Sequence, residues 1–371
     1  MTWIWENKNW PDFTWNSEMI NPLCREITFF LGTLNAKIGF AEEKEASLSE
    51  LDSLLNNIVK SSSIEGESVN AFSVRSSLAK RLKINIKKFP TTDRTEGLAE
   101  LQLDIFQNID KELSLKRLFI WHHWLFPASE NWKIPVGKLR GYSPMHVVSG
   151  RIDNPKIHFE APPRKELVNE MKSMLDWFEE TRNKLDFDPF IRSGIIHLWF
   201  LTIHPFEDGN GRLARIVSEL ALAQFEEKTS KLYSVSSVIL DKRKEYYSVL
   251  EQTQKGNLDI SKWLYWYLGI IKQAIQEAIK NIDRVLFKTN FWKAFHKLNL
   301  LPEQKKVLNL MLDSKDSRFD SGISAMQYQK ITKVSKATAT RHLTELTEIR
   351  CLKKLPGGGR STRYVLKDYK V

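Results

Sequence analysis

The sequence predicts a mainly α protein: a helical bundle carrying one short β-hairpin, followed by a smaller basic helix-turn-helix unit that ends in a second hairpin. Three observations lead there. Apolar residues recur at helical spacing from Ile20 to about residue 285, that pattern breaks only between Gly141 and Phe159, and basic charge is concentrated after residue 283. Of the 56 Lys/Arg and 45 Asp/Glu, the last 88 residues hold 19 and 7, leaving 37 and 38 in the first 283. The formal net charge of +11 therefore belongs to the C-terminal segment, as a nucleic-acid-facing surface would require. Three domains are expected: residues 1–95, a Trp-rich cap with a long helix; residues 96–283, the core with its hairpin; and residues 284–371, the basic unit.

The elements follow in order. MTWIWENKNW lacks the basic-then-apolar order of a secretory leader. No apolar run approaches the ~18 residues that span a bilayer. A cytoplasmic protein with no membrane association is expected. Cys24 and Cys351 match no metal or redox spacing and suit a reducing compartment. Trp3, Trp5, Trp10 and Trp15 are expected to pack a small cap onto the bundle. Leu51, Leu54, Leu55, Ile58 and Val59 fall on one helical stripe, and Leu167, Met171, Met174, Leu175 and Phe178 on another. Asp188 reads as an N-cap and Pro189 as a first-turn proline, opening a helix to Ile203 that is apolar nearly all round and so central. Val147-Val148, Gly150, Asn154-Pro155 and Ile157–Phe159 read as the hairpin.

In the last segment Leu301–Leu312 and Ser324–Thr332 read as helices. Ser335 caps a third, Lys336–Ile349, and strands on either side of Pro356-Gly357-Gly358-Gly359 form a hairpin. This order resembles a winged-helix domain. Lys336, Thr338, Thr340 and Arg341 would then lie near the start of the third helix, where recognition helices face a major groove. Arg360 and Arg363 on the wing would meet phosphates. Such domains also pair with proteins, so the partner stays open between DNA and protein.

The most specific stretch is His204-Pro205-Phe206-Glu207-Asp208-Gly209-Asn210-Gly211-Arg212, with Arg215 beyond it. Proline after His204 pushes its backbone out of the α region, so the preceding helix should stop there. An imidazole held at a helix tip can titrate near neutrality and act as a general base. Asp208 is a natural oxygen ligand for Mg²⁺, while Glu207 should point elsewhere. Gly209-Asn210-Gly211 can converge successive backbone amides into an anion nest at the start of an apolar-periodic helix, Leu213–Phe225. Arg212 and Arg215, three apart, share a helical face and could clamp outer phosphates. The composite points to a polyphosphate.

His-Pro-Phe-x-Asp-Gly-Asn-Gly-Arg-x-x-Arg resembles the signature of Fic-domain (Fido-fold) proteins, with every motif position filled. The resemblance covers about residues 100–275. It implies a Fic helical bundle whose hairpin is the "flap" that aligns a target by strand addition. It also implies transfer of AMP from ATP, with Mg²⁺, to a Ser, Thr or Tyr hydroxyl of a target protein or of the chain itself, releasing pyrophosphate. By position His204 would be the base and Asp208 the metal ligand. Gly209, Asn210, Gly211, Arg212, Leu213, Ala214 and Arg215 would form the nucleotide site. Tyr246 and Tyr247 fall where the family often contacts the nucleotide, though helix packing serves them equally well.

Upstream, Ser61-Ser62-Ser63-Ile64-Glu65-Gly66 is similar to the family's inhibitory motif. The resemblance implies that Ser61 and Glu65, on one helical face, and Gly66 form an inhibitory element in which Glu65 pairs with Arg215 and takes the place a γ-phosphate needs. An autoinhibited adenylyltransferase is thus expected. Alternatives are removal of AMP, with Glu65 orienting water, and a DNA-binding regulator that uses nucleotide occupancy as its signal. Dimers are common in such proteins, and the domain combination suggests a bacterial source.

Overall fold

The computed structural model describes residues 2–130, 132–151, 154–184, 187–313, 319, 321–359 and 362–367. The chain folds as two compact units, Met1–Ile279 and Lys280–Val371. After a 3-10 turn, Ile4–Glu6, the first unit runs through α1 (Ser17–Ile38), α2 (Glu43–Ile64), α3 (Ala71–Arg81), α4 (Asp93–Gln107) and α5 (Leu115–Leu125). A hairpin of β1 (His146–Arg151) and β2 (Asn154–Glu160) follows. Next come α6 (Leu167–Glu180), α7 (Pro189–Ile203), α8 (Asn210–Phe225), the short α9 (Glu227–Ser230) and α10 (Val235–Asp241), and α11 (Arg243–Gln254). Helix α12 (Ser261–Phe295) carries the chain into the second unit, where α13 (Pro302–Asp313), α14 (Ala325–Thr332), α15 (Lys336–Glu348), β3 (Leu352–Lys354) and β4 (Tyr364–Leu366) complete it.

The centre of the first unit is α7. Asp188 Oδ1 accepts from the amides of Phe190 and Ile191, and Pro189 occupies the first turn, so the helix starts where an unpaired amide costs nothing. Phe190 through Ile203 are all buried, so α7 touches protein on every side. It packs along α8, which also meets α2, α4 and α5. The tryptophans close one face: Trp3 meets Phe159 edge-on at 5.3 Å, Trp10 meets Trp199 at 6.1 Å and Trp15 meets Phe187 at 6.2 Å. The indole N–H groups of Trp5 and Trp10 donate to Glu160 O and Glu170 Oε2, so these rings leave no buried donor unpaired.

The strands β1 and β2 pair antiparallel, His146 opposite Glu160 and Ser149 opposite Lys156, with a bulge between Val147 and Val148. The bulge turns His158 toward α11, where its Nδ1 lies 2.8 Å from Glu251 Oε2.

The second unit has its own core, in which Phe291, Val307, Leu343, Leu346 and Tyr364 are buried. Ser324 and Gln327 form a reciprocal capping box at α14, and Ser335 Oγ accepts from the Thr338 amide to start α15. Strands β3 and β4 pair antiparallel, and Ile323 bridges to Tyr364. Among the described residues no helix is long and apolar enough to cross a membrane.

Candidate functional site

The turn from His204 to Arg215 is built by residues that satisfy one another. His204 ends α7 in the left-handed region, φ 51, rather than in the extended conformation expected before proline. Two bonds hold it there: its amide donates to Phe200 O, and its carbonyl accepts from Arg140 Nε at 2.8 Å. The fully buried Arg140 also donates to Pro162 O beyond β2, linking the base of the hairpin to the histidine. The His204 ring is half-buried, with Nδ1 3.1 Å from Leu201 O. That contact makes Nδ1 the donor and leaves Nε2 as a free acceptor. Burial holds the imidazole below its ordinary 6.5, with Leu201 O opposing, so it is neutral at pH 7.

The loop is closed by side chains. Asn210 Oδ1 accepts from the Phe206 amide at 3.0 Å while its Nδ2 donates to Phe206 O at 2.8 Å. The Asn210 side chain is therefore spent on the loop, and only its backbone amide can face a ligand. Phe206 is buried and stacks on His122 at 4.4 Å. His122 accepts from the Gly137 amide on Nδ1 and reaches Asp208 O with Nε2. Burial pushes its pKa down to about 4. Gly209 adopts φ 82, and a Cβ there would stand 2.8 Å from both Leu125 and Phe126 side chains, so only glycine fits before α8. Beyond it the first-turn amides of α8 lack helical acceptors, as at any helix start. Asp208 is exposed, its Oδ1 accepting from the Gly209 amide at 2.5 Å and lying 3.6 Å from Arg212 Nη2. Glu207 turns away to the Gly141 amide, as expected.

Over this helix start sits the end of α2. Arg215, 2% exposed, donates from Nε to Ser61 Oγ at 2.8 Å and from Nη2 to Ser61 O at 3.0 Å and Glu65 Oε1 at 2.7 Å. Burial alone would lower its pKa, but the Glu65 carboxylate beside it raises it. A Cβ on Gly211 would lie 2.2 Å from Glu65 Oε1, so the carboxylate rests directly on the helix start. Gly66, at φ 82, then turns the chain away, and Ile64 O is held by Arg243 Nε at 2.6 Å and Tyr247 Oη at 3.4 Å. Despite these bonds, Arg215 Nη1, Arg212 Nε and Arg212 Nη2 are buried donors with no hydrogen-bond partner. Orphaned guanidinium donors over a helix N-terminus are what a polyphosphate would satisfy. The exposed Asp208 carboxylate beside them suits Mg²⁺, which takes one or two protein carboxylates plus phosphate oxygens. Among the described residues no group of three or more His, Cys, Asp or Glu forms a cage for a metal.

The structure thus brings together His204, Asp208, Gly209, Gly211, Arg212, Arg215, Ser61, Glu65, Gly66 and Tyr247. It corrects three expectations. Leu213 and Ala214 are fully buried, and the Leu213 amide is bonded to Gly209 O at 3.0 Å, so that amide has nothing to offer a phosphate. Helix α8 begins at Asn210, not Leu213, because Gly209 supplies the N-cap. Tyr246, its ring 5.2 Å from that of Tyr247, is 2% exposed and bonded to His197 Nε2 at 2.8 Å, so it serves helix packing. Arg140, His122, Arg94 and Glu67 were not singled out by sequence reasoning as site residues, because their partners lie tens of residues away. In the second unit Lys336, Thr340 and Arg341 are exposed and Thr338 is drawn into the cap of α15. Arg363, expected to reach outward, donates to Gln327 Oε1 at 2.6 Å, and Arg360 lies outside the described residues.

Comparison with known proteins places this turn in a family. Residues 112–222 match the sequence model of the Fic/DOC family, and residues 3–84 match a domain of unknown function (DUF4172). Protein adenylyltransferase fic-1 of Caenorhabditis elegans is 30% identical over 117 residues, 30% of this chain and 21% of that protein. Probable protein adenylyltransferase aq_aa38 of Aquifex aeolicus (strain VF5) is 27% identical over 154 residues, 40% of this chain and 44% of that protein. The chain thus spans less than half the length of either. A Fic family protein from Desulfovibrio desulfuricans G20 superposes over 97% of this chain and 99% of its own, with TM-score 0.56 and 18% identity. A Fic domain-containing signaling protein from Bacteroides thetaiotaomicron covers 70% of this chain and 97% of its own, with TM-score 0.52 and 15% identity. These structural likenesses show the fold.

Proposed function

We propose that the first unit is an autoinhibited protein adenylyltransferase. It would move AMP from Mg·ATP to a Ser, Thr or Tyr hydroxyl of a protein, and Glu65 would hold it off. One observation carries the reading. The Glu65 carboxylate lies on Gly211 and on Arg215 at once, at a helix start where Arg215 Nη1, Arg212 Nε and Arg212 Nη2 are buried without a hydrogen-bond partner.

In this reading the amides of Asn210, Gly211 and Arg212 receive the α- and β-phosphates, and Arg212 and Arg215 hold the outer ones. Asp208 would hold the Mg²⁺ that accompanies the nucleotide and offsets charge on its phosphates. Neutral His204 takes the hydroxyl proton on Nε2 as the acceptor oxygen bonds to the α-phosphorus; the bond to the bridging oxygen breaks and pyrophosphate leaves with the electron pair. The hairpin would present the acceptor segment by strand addition, Arg140 fixing its base relative to His204. A carboxylate already satisfying Arg215 leaves a γ-phosphate no room and sets ATP out of line.

Radiolabel decides the reaction class. Label from the α-phosphate of ATP should appear on protein, more in Glu65→Gly and not in His204→Ala. Label arriving only from the γ-phosphate would make the protein a kinase and overturn the reading.

For the second unit we propose a winged-helix surface that contacts nucleic acid. It is supported by the exposed Lys336, Thr340 and Arg341 at the start of α15 and by the surplus of basic residues in that segment.

A further inference from the structure

We infer that Glu67 and Arg94 are positioning residues for Arg212, and that Glu67 acts in the opposite sense to Glu65 although one residue separates them. The inference rests on the nucleotide-site reading above. Gly66 turns the chain in the left-handed region, so the two carboxylates diverge. Glu65 reaches Arg215, whereas Glu67 Oε2 accepts at 2.5 Å from Arg212 Nη1 and at 2.5 Å from Arg94 Nη2. Arg94, in the first turn of α4, is itself fixed: its guanidinium lies 5.0 Å from the centre of the Trp132 ring and 3.4 Å from Glu130. Arg212 lies over the Phe126 ring at 4.9 Å.

The two contacts differ in what they leave free. Glu65 sits on the Gly211 backbone, inside the space a phosphate would take. Glu67 engages only Nη1 of Arg212, leaving Nε and Nη2 without a hydrogen-bond partner and Nη2 in a 3.6 Å ion pair with Asp208, on the site side. Sharing separates them further. Glu65 pairs with Arg215 alone, whereas Glu67 is divided between Arg212 and Arg94, so it orients Arg212 through one nitrogen without satisfying the whole guanidinium. An arginine held by an aromatic face and by a carboxylate that Arg94 in turn fixes loses little freedom when phosphate arrives, which favours binding.

The sign of one measurement tests this. In the Glu65→Gly protein, Mg·ATP affinity by calorimetry and single-turnover transfer are compared with and without Glu67→Ala, Glu67→Gln and Arg94→Met. Glu67→Ala should weaken affinity or transfer about tenfold, through loss of preorganisation, and Arg94→Met should act in the same direction. Glu67→Gln, which keeps an acceptor oxygen, should retain more than Glu67→Ala. Glu67→Ala alone, with Glu65 intact, should not activate. A rise in affinity or rate in either background would make Glu67 a second brake and overturn the assignment. A folded Glu67→Ala protein with unchanged affinity and rate would overturn it too. If Glu67→Ala does not fold, Arg94→Met, which leaves both carboxylates in place, decides alone. No ATP binding by Glu65→Gly itself would sink the nucleotide-site reading and this inference together, an outcome distinct from any specific effect of Glu67.

Discussion

Arginines near a helix start occur in both units, and their surroundings differ in kind. Arg212 and Arg215 on α8 are 3% and 2% exposed and keep buried donors without hydrogen-bond partners. Arg341 on α15 has a side chain 68% exposed and lies 3.7 Å from its own Glu345, one turn on. Water screens the second arrangement, and such a pair contributes little. The first has no water to fall back on, so a bound anion or a neighbouring carboxylate is its remaining source of partners. Buried, incompletely paired cations therefore point to a ligand far more strongly than surface ones do, even where the surface carries the larger net charge.

That contrast can be broken at several points. The largest effect should come from His204→Ala, which removes the base and should lower AMP transfer by about 10²–10⁴-fold, measured on a peptide or protein acceptor. Next is Glu65→Gly. Losing a charge-assisted contact of about 1.5–3 kcal/mol should raise transfer roughly ten- to hundredfold, with ATP affinity rising in calorimetry. Unchanged activity would mean that the carboxylate does not compete with phosphate. In the second unit Arg341→Ala should weaken DNA binding only a few-fold and reduce the salt slope by about one, with AMP transfer intact. Absence of salt-dependent DNA binding in the parent protein would leave α15 a protein-facing helix.

The pH profile should show a smaller effect. Burial holds His204 below 6.5, so the rate should be flat near neutrality and fall only as pH drops through a value under 6.5. His122, whose folded pKa is about 4, binds fewer protons folded than unfolded between about 4 and 6.5. Its contribution to stability should be complete above 6.5 and decline as pH falls from 6.5 to about 4, visible as a falling Tm that His122→Asn removes.

Much of this was legible in the sequence because it is local. Asp188-Pro189, the apolar run to Ile203 and the turn Gly209-Asn210-Gly211 each carry their own instructions within a few residues. Ser61 and Glu65, one turn apart, could be placed on one helical face for the same reason. What escaped depends on distant partners. Glu67 and Arg94 look like ordinary surface charges until α4 and α8 meet at the end of α2, and Arg140 gains its role only by bridging His204 and Pro162. Tyr246 and Tyr247 are adjacent, so sequence alone could not say that one faces the core and the other the end of α2. Arg363 was misjudged because a basic residue on a hairpin reads as solvated, whereas Gln327 is within its reach.

The most direct test is a crystal structure of Glu65→Gly with Mg²⁺ and a non-hydrolysable ATP analogue. The account predicts phosphate oxygens on the amides of Asn210, Gly211 and Arg212, an outer phosphate on Arg215 Nη1, and His204 Nε2 facing the α-phosphorus. A nucleotide bound elsewhere, or an imidazole turned away from that phosphorus, would contradict it.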